Sequence, residues 1–232
     1  MGTMINVIAI LTGGALGLLF RRGFPERIAK TALQVMGLFT FVIGVSMALQ
    51  GEELIMVLIS LALGAILGEW IDIEGHLDGL GSWLERRLNL TEESPARGFI
   101  YTSLLFCVGS MAIVGSITDG LKGDRSILVT KAVMDGIISI PFAANMGIGV
   151  LGSAVPVLLY QGGLTLLAWK LQSLFTPSLV KELTAVGGVI VMGIGVNILG
   201  LQRVKVGNLI PALLLIILAF YLKSLVALLY HG

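Results

Sequence analysis

Long apolar runs separated by short polar turns dominate the chain. The stretches 4–20, 31–49, 53–70, 99–118, 127–146, 150–170, 182–201 and 206–229 each read as a candidate membrane span, because a bilayer core of ~30 Å needs about 20 apolar residues per helix. Inside hydrocarbon a segment must satisfy its own backbone groups, which makes the α-helix the spanning form. The pattern predicts an all-α protein, a polytopic transmembrane helical bundle of about eight spans in a single integral-membrane domain. The last span is unbroken apolar sequence around Pro211. The fifth departs furthest from bulk apolar sequence. It carries Lys131 and Asp135 among Gly, Ala and Ser, so a broken or re-entrant element is the alternative to a full crossing.

Between the third and fourth spans, segment 71–98 has a different rhythm. Ile73, Leu77, Leu80, Leu84 and Leu88 recur at spacings of three and four and form one helical face. Glu74, Asp78, Glu85, Arg86 and Arg87 supply the polar side, and Trp70 and Trp83 suit a membrane interface. The segment reads as an amphipathic helix on the membrane surface, or as a small helix packed on the bundle.

An internal repeat connects the two ends of the chain. Gly13-Gly14, Pro25, Gly37, Gly44 and Ser46 recur in order as Gly162-Gly163, Pro177, Gly188, Gly195 and Asn197. One copy covers 4–70 and the other 150–229, with the central helices 99–149 between them. The copies are displaced by five spans, and an odd displacement inverts the second copy. The expectation is an inverted repeat, spans 1–3 and 6–8, around two central polar, Gly-rich helices, a plan found in many secondary transporters.

Composition agrees with a membrane class and removes others. Hydrophobic residues make up 56 % and charged residues 12 %, against about 25 % charged in a soluble domain; the mean hydropathy is +0.98. A net charge of +1 suggests no nucleic-acid partner. The single Cys107 cannot form an intrachain disulfide. His76 and His231 are isolated, no enzyme motif is present, and neither a metal site nor a cofactor is expected. Arg21-Arg22 follows the first apolar run where a signal peptide would carry a small-residue cleavage site, so none is expected. With eight spans, Arg21, Arg22, Arg27, Lys30, Arg86, Arg87, Arg97, Arg203 and Lys205 share one side. The smaller set on the other side is Lys122, Arg125, Lys131, Lys170, Lys181 and Lys223, which favours both termini outside.

Candidate chemistry concentrates in the centre. Glycine, serine and proline can open a helix at Gly109-Ser110, at Gly115-Ser116, or around Pro141, Asn145 and Gly147, and such breaks line cavities. Asp135 stands out, since a carboxylate inside a span costs on the order of 2.5–3.5 kcal/mol and needs a partner or a wet cavity. Lys131 lies four residues before it, on the same helical face. Asp119 and Asp124 flank a Gly-rich turn, where capping and turn roles compete with a cation or proton site. Ser110, Ser116 and Asn145 would add hydrogen-bonding groups to a pathway. Ser46 and Asn197 occupy matched repeat positions and would line a shared axis or bond across helices. Glu69 reads as interfacial. Gly13 with Gly17, and Gly64 with Gly68, are small-xxx-small pairs suited to close contact within a chain or in a homodimer.

Further residues carry a family resemblance. Gly2-Thr3 with Asn6, Thr12-Gly13-Gly14-Ala15-Leu16-Gly17, Ser60 to Glu69 with Ile73-Glu74, Cys107-Val108-Gly109 to Asp119-Gly120-Leu121, Asp135-Gly136-Ile137, and Phe142-Ala143-Ala144 to Val150 resemble the YdfK/YqgA-type uncharacterised bacterial inner-membrane proteins. The likeness covers essentially the whole chain. One departure is Ser110, where proline is expected in many relatives. The resemblance implies a polytopic protein of the bacterial cytoplasmic membrane and supplies no substrate or established site. The expected function is a small secondary transporter or channel-like permease for a small solute or ion, not an enzyme. The alternative is a membrane-embedded structural or regulatory partner that binds another protein through helix 71–90.

Overall fold

The computed structural model describes residues 1–21, 26–76, 79 and 95–231. These residues fold as helices and turns, with no strand among them. The helices are α1 (Gly2–Arg21), α2 (Glu26–Ala48), α3 (Leu54–Ile71), α4 (Pro95–Cys107), α5 (Ser110–Lys122) and α6 (Ser126–Met146). They continue as α7 (Gly149–Gly152), α8 (Ala154–Leu166), α9 (Ala168–Leu171), α10 (Pro177–Ile198) and, after a 3₁₀ turn at Val206–Leu209, α11 (Pro211–His231). Among the described residues six helices are long and apolar enough to cross a membrane, with α7 and α8 counted together. The α4–α5 pair, bent by 60°, makes a seventh if it is one span, and α2 contains the shorter apolar stretch Leu33–Ala48.

Large apolar side chains point outward. Leu54, Ile55, Leu58, Ile66 and Trp70 of α3 are all exposed, which inverts the rule for water-soluble helices and suits contact with lipid tails. Without a hydrophobic drive between helices, association depends on close packing, and small residues permit it. A Cβ at Gly13 would lie 2.1 Å from the Gly136 carbonyl oxygen, and one at Gly68 would lie 1.9 Å from that of Asn208. Both small-xxx-small pairs are used within the chain: Gly13 and Gly17 against α6, Gly64 against the start of α11 and Gly68 against the 3₁₀ turn before it. The matched pair Gly162 and Gly163 meets nothing within 4 Å.

These contacts fix the helix directions. α1 and α6 run parallel, Gly2 beside Leu128 and Gly17 beside Ile140. α2 runs antiparallel to α10, with Gly44 beside Gly188 and Gly37 beside Leu199. α3 runs antiparallel to α11, with Gly64 beside Ala212 and Gly68 beside Asn208. One end of the bundle gathers Gly2, Asp119, the turn after α2 and the start of α10. The other gathers Pro95, which touches Gly149, and the Lys205 turn, which is tied to Glu69. The most enclosed helix is the apolar α10, 78 % buried against 22–39 % for the other five apolar spans.

Several sequence expectations change here. The fourth span breaks at Gly109, whose φ of +141° suits glycine, although Ser110 stands where a proline was expected. Gly115 and Ser116 lie inside continuous helix. The fifth span is one unbroken helix through Pro141, not a re-entrant element, and ends at Gly147 with φ +75°. Lys131 is buried and leaves the loop charges. Glu74 is buried, not on a solvated face: its Oε2 accepts the Gly207 N–H at 2.8 Å, and its own N–H donates to Asn208 Oδ1 at 2.7 Å. The rest of the amphipathic reading, with Leu77, Asp78, Leu80, Trp83, Leu84, Glu85, Arg86, Arg87 and Leu88, lies outside the described residues.

Candidate functional site

Helix α6 presents Lys131, Asp135 and Ser139 at successive turns of one face, and all three are buried. Lys131 Nζ donates to Asp135 Oδ2. α1 adds Asn6, fully buried, whose Nδ2 donates to the same Oδ2 at 2.9 Å and to Gln161 Oε1 of α8 at 3.3 Å. Phe106, at the end of α4, offers its ring 5.8 Å from Lys131 Nζ. Ser139 Oγ donates to the Asp135 carbonyl at 2.7 Å. Four helices thus converge on one ion pair in an apolar interior. Taking the two charges out of water costs several kcal/mol each unless attraction and hydrogen bonds offset it.

The cluster is not saturated. Asn6 Oδ1 and Gln161 Nε2 are buried without a partner, as is Ser116 Oγ of α5. Both bonds to the Asp135 carboxylate fall on Oδ2. Gly120 packs on the Thr165 carbonyl, so one turn earlier along the parallel α5 and α8 Ser116 stands level with Gln161.

A cavity of about 420 Å³ reaches the pair from the other side. Its walls include Lys131 and Asp135, Ser46 of α2, Gln50 in the turn after α2, and Gly109 and Ser110 at the α4–α5 break. Opening the helix at Gly109 exposes the first turn of α5, which has no side-chain cap. The geometry therefore joins four of the sequence candidates, Lys131, Asp135, Ser46 and Ser110, in one space.

The other candidates stand elsewhere. Asp119 holds the start of α1: Oδ2 accepts from the Gly2 N–H at 2.9 Å and lies 3.1 Å from the Met1 amino nitrogen, with Arg125 Nε 3.5 Å from Oδ1. Negative charge at a helix N-terminus is stabilising there. Asp124 sits in an exposed turn, where accepting the Ser126 N–H at 3.0 Å holds its carboxyl below the usual range. Asn145 donates to the Pro141 carbonyl at 2.8 Å. Asn197 clamps the turn before α11 by a pair of bonds with Val204, at 2.8 and 2.7 Å. It lies at the opposite end of the antiparallel α2–α10 pair from Ser46, so the two do not share a space. Sequence reasoning passed over Asn6 and Gln161 as site residues. The available signal was an isolated amide in an otherwise apolar run, which has to bond to something.

Comparison with known proteins gives the family. The model for "Protein of unknown function (DUF554)" matches residues 1–221. The chain belongs to that family. It is 31 % identical over 218 residues to "Uncharacterized membrane protein YdfK" of Bacillus subtilis (strain 168), covering 92 % of this chain and 93 % of that protein. It is 32 % identical over 219 residues to "Uncharacterized protein YqgA" of Escherichia coli (strain K12), with the same coverage of both. No solved structure matches.

Proposed function

We propose that this protein is a small permease of the bacterial inner membrane that moves a small polar or charged solute past the Lys131–Asp135 pair. The observation that carries the reading is the cavity itself. A broken span opens a space onto two buried, oppositely charged side chains with unused bonding capacity. Irregular backbone at membrane depth is tolerated where it lines such a space, and intramembrane charges mark solute or ion routes. A merely structural ion pair would need no cavity.

The inverted repeat gives the permease its frame. Each of α1, α2 and α3 runs opposite to its counterpart α8, α10 and α11. The glycine contacts are also reciprocal: Gly37 pairs with the counterpart of Gly44, and Gly44 with the counterpart of Gly37. Reciprocal pairing is the mark of a two-fold relation. Counting α2 whole and α4–α5 as one bent span, the chain crosses eight times and both termini lie at the Gly2 end. The Lys205 end faces the cytoplasm in this reading.

Reconstitution tests the proposal. Purified protein in proteoliposomes is expected to carry flux of at least one member of a panel of ions and small metabolites, and the Asp135→Asn variant to lose it. Folded wild-type protein without flux across the panel would overturn the proposal.

A further inference from the structure

Resting on the permease reading, we infer that the cavity binds a small zwitterion with an apolar body, a solute of amino-acid type. Three features of the cavity point the same way. The first is charge. Lys131 and Asp135 both line it, 6 % and 5 % exposed. The ammonium uses one of its donors, on Asp135, and the carboxylate oxygen Oδ1 takes neither the Asn6 nor the Lys131 bond. The space therefore offers a donor-rich cation and an acceptor-rich anion side by side. A simple anion would be repelled by Asp135, and a simple cation by Lys131. A solute carrying both charges meets each with its opposite and adds no net charge to a low-dielectric interior.

The second feature is the open start of α5. Gly109 to Ala112 line the cavity. The Ser110 and Met111 amides have no acceptor among the described residues, since the first bonds of α5 run from Ala112 and Ile113 to the Gly109 carbonyl. These two N–H groups sit at the positive end of a helix dipole, beside Ser110 Oγ, and complement a carboxylate. The free Asp135 oxygen and the Gln50 side-chain oxygen are left for the ammonium.

The third feature is the remaining wall. Met47, Met111, Met134, Val42, Leu105 and Ile138 are apolar, and methionine adapts its shape to varied partners. The cavity volume is about 420 Å³. That accommodates a leucine-sized solute. An apolar solute without charges would offer no partner to the unused Lys131 donors or to the free Asp135 oxygen.

Calorimetry on the full chain in detergent tests this with L-leucine, with 4-methylpentanoate, which lacks the amine, and with 3-methylbutylamine, which lacks the carboxylate. Leucine is expected to bind at millimolar concentration, and each analogue about tenfold more weakly because one site charge is left unmatched. Asp135→Asn should remove the preference for leucine over 4-methylpentanoate. If that variant fails to fold, Ser46→Trp, at an exposed cavity position, should abolish leucine binding with the melting temperature unchanged. Equal binding of either analogue, or no leucine binding by folded protein, would overturn the inference. Flux of another solute without leucine binding would overturn it and leave the permease reading intact. Leucine binding without leucine flux would uphold the site and count against the permease.

Discussion

Gly44 and Gly188 meet backbone to backbone, and a Cβ added to either would lie 2.7 Å from the carbonyl oxygen of the other. This reciprocal contact holds α2 against α10 at a distance that no side chain permits.

Gly44→Leu and Gly188→Leu should therefore destabilise the protein, by at least the ~1–3 kcal/mol of an overpacked core. Gly163→Ala is the control. Its Cβ meets nothing within 4 Å, so helix propensity alone should stabilise it by roughly 0.5–1 kcal/mol. Melting temperatures in one detergent decide the matter. Similar losses in all three variants would remove the contact as an explanation.

Asp135→Asn should do more than stop flux. It leaves the buried Lys131 ammonium without its counter-charge, which costs roughly 3–5 kcal/mol. Replacing the pair together, Lys131→Met with Asp135→Leu, should restore most of that stability without restoring transport, because a well-packed apolar pair can match a buried ion pair. Thermal shift and flux on the single and double variants separate the two effects. A single variant as stable as the wild type would show that the pair is solvated through the cavity.

Gly109→Ala tests the break. The added Cβ would meet only Met47 Cε, at 3.6 Å, so space is not the obstacle. The obstacle is φ at +141°, where a side chain costs on the order of 1–3 kcal/mol. Lower stability with impaired solute binding is expected, whereas an unchanged melting temperature would mean that the bend tolerates an ordinary residue.

Glu182 of α10 holds the turn that leads into α3. It is 1 % exposed, and its Oε1 accepts the Glu52 and Glu53 N–H groups at 2.9 and 3.2 Å, just before α3. Glu182→Leu leaves both donors without that acceptor and should cost about 1–3 kcal/mol. Glu182→Gln keeps an acceptor and should cost less. Chemical denaturation of the two variants gives the comparison, and equal losses would point to the charge instead of the bonds.

Asp124 should give a small acid-dependent contribution. Its folded-state pKa is lowered because the carboxylate accepts the Ser126 N–H. The stabilisation is present above the unfolded value and disappears as pH falls through the folded value. The melting temperature of Asp124→Ala should lie below that of the wild type at neutral pH and converge with it in acid. A gap that persists in acid would assign the effect to the turn's backbone.

The sequence by itself determined the membrane class, the helical form and the limits of most spans, because apolar length and backbone self-sufficiency act locally. The family likeness and the i, i+4 spacing of Lys131 and Asp135 were also legible, as was glycine at the break. What stands beside that pair was not. Asn6, Phe106 and Gln161 come from helices up to 155 positions apart, and no local pattern records which faces meet. The amphipathic spacing likewise put Glu74 on a solvated face, since periodicity counts polar residues without seeing the Gly207 and Asn208 groups that enclose this one. Asp119 and Asn197 differ from Asp135 little in residue type, and only packing made them a cap and a loop clamp. Close approach of glycine backbones set the helix neighbours, and those neighbours decided which polar groups share a cavity.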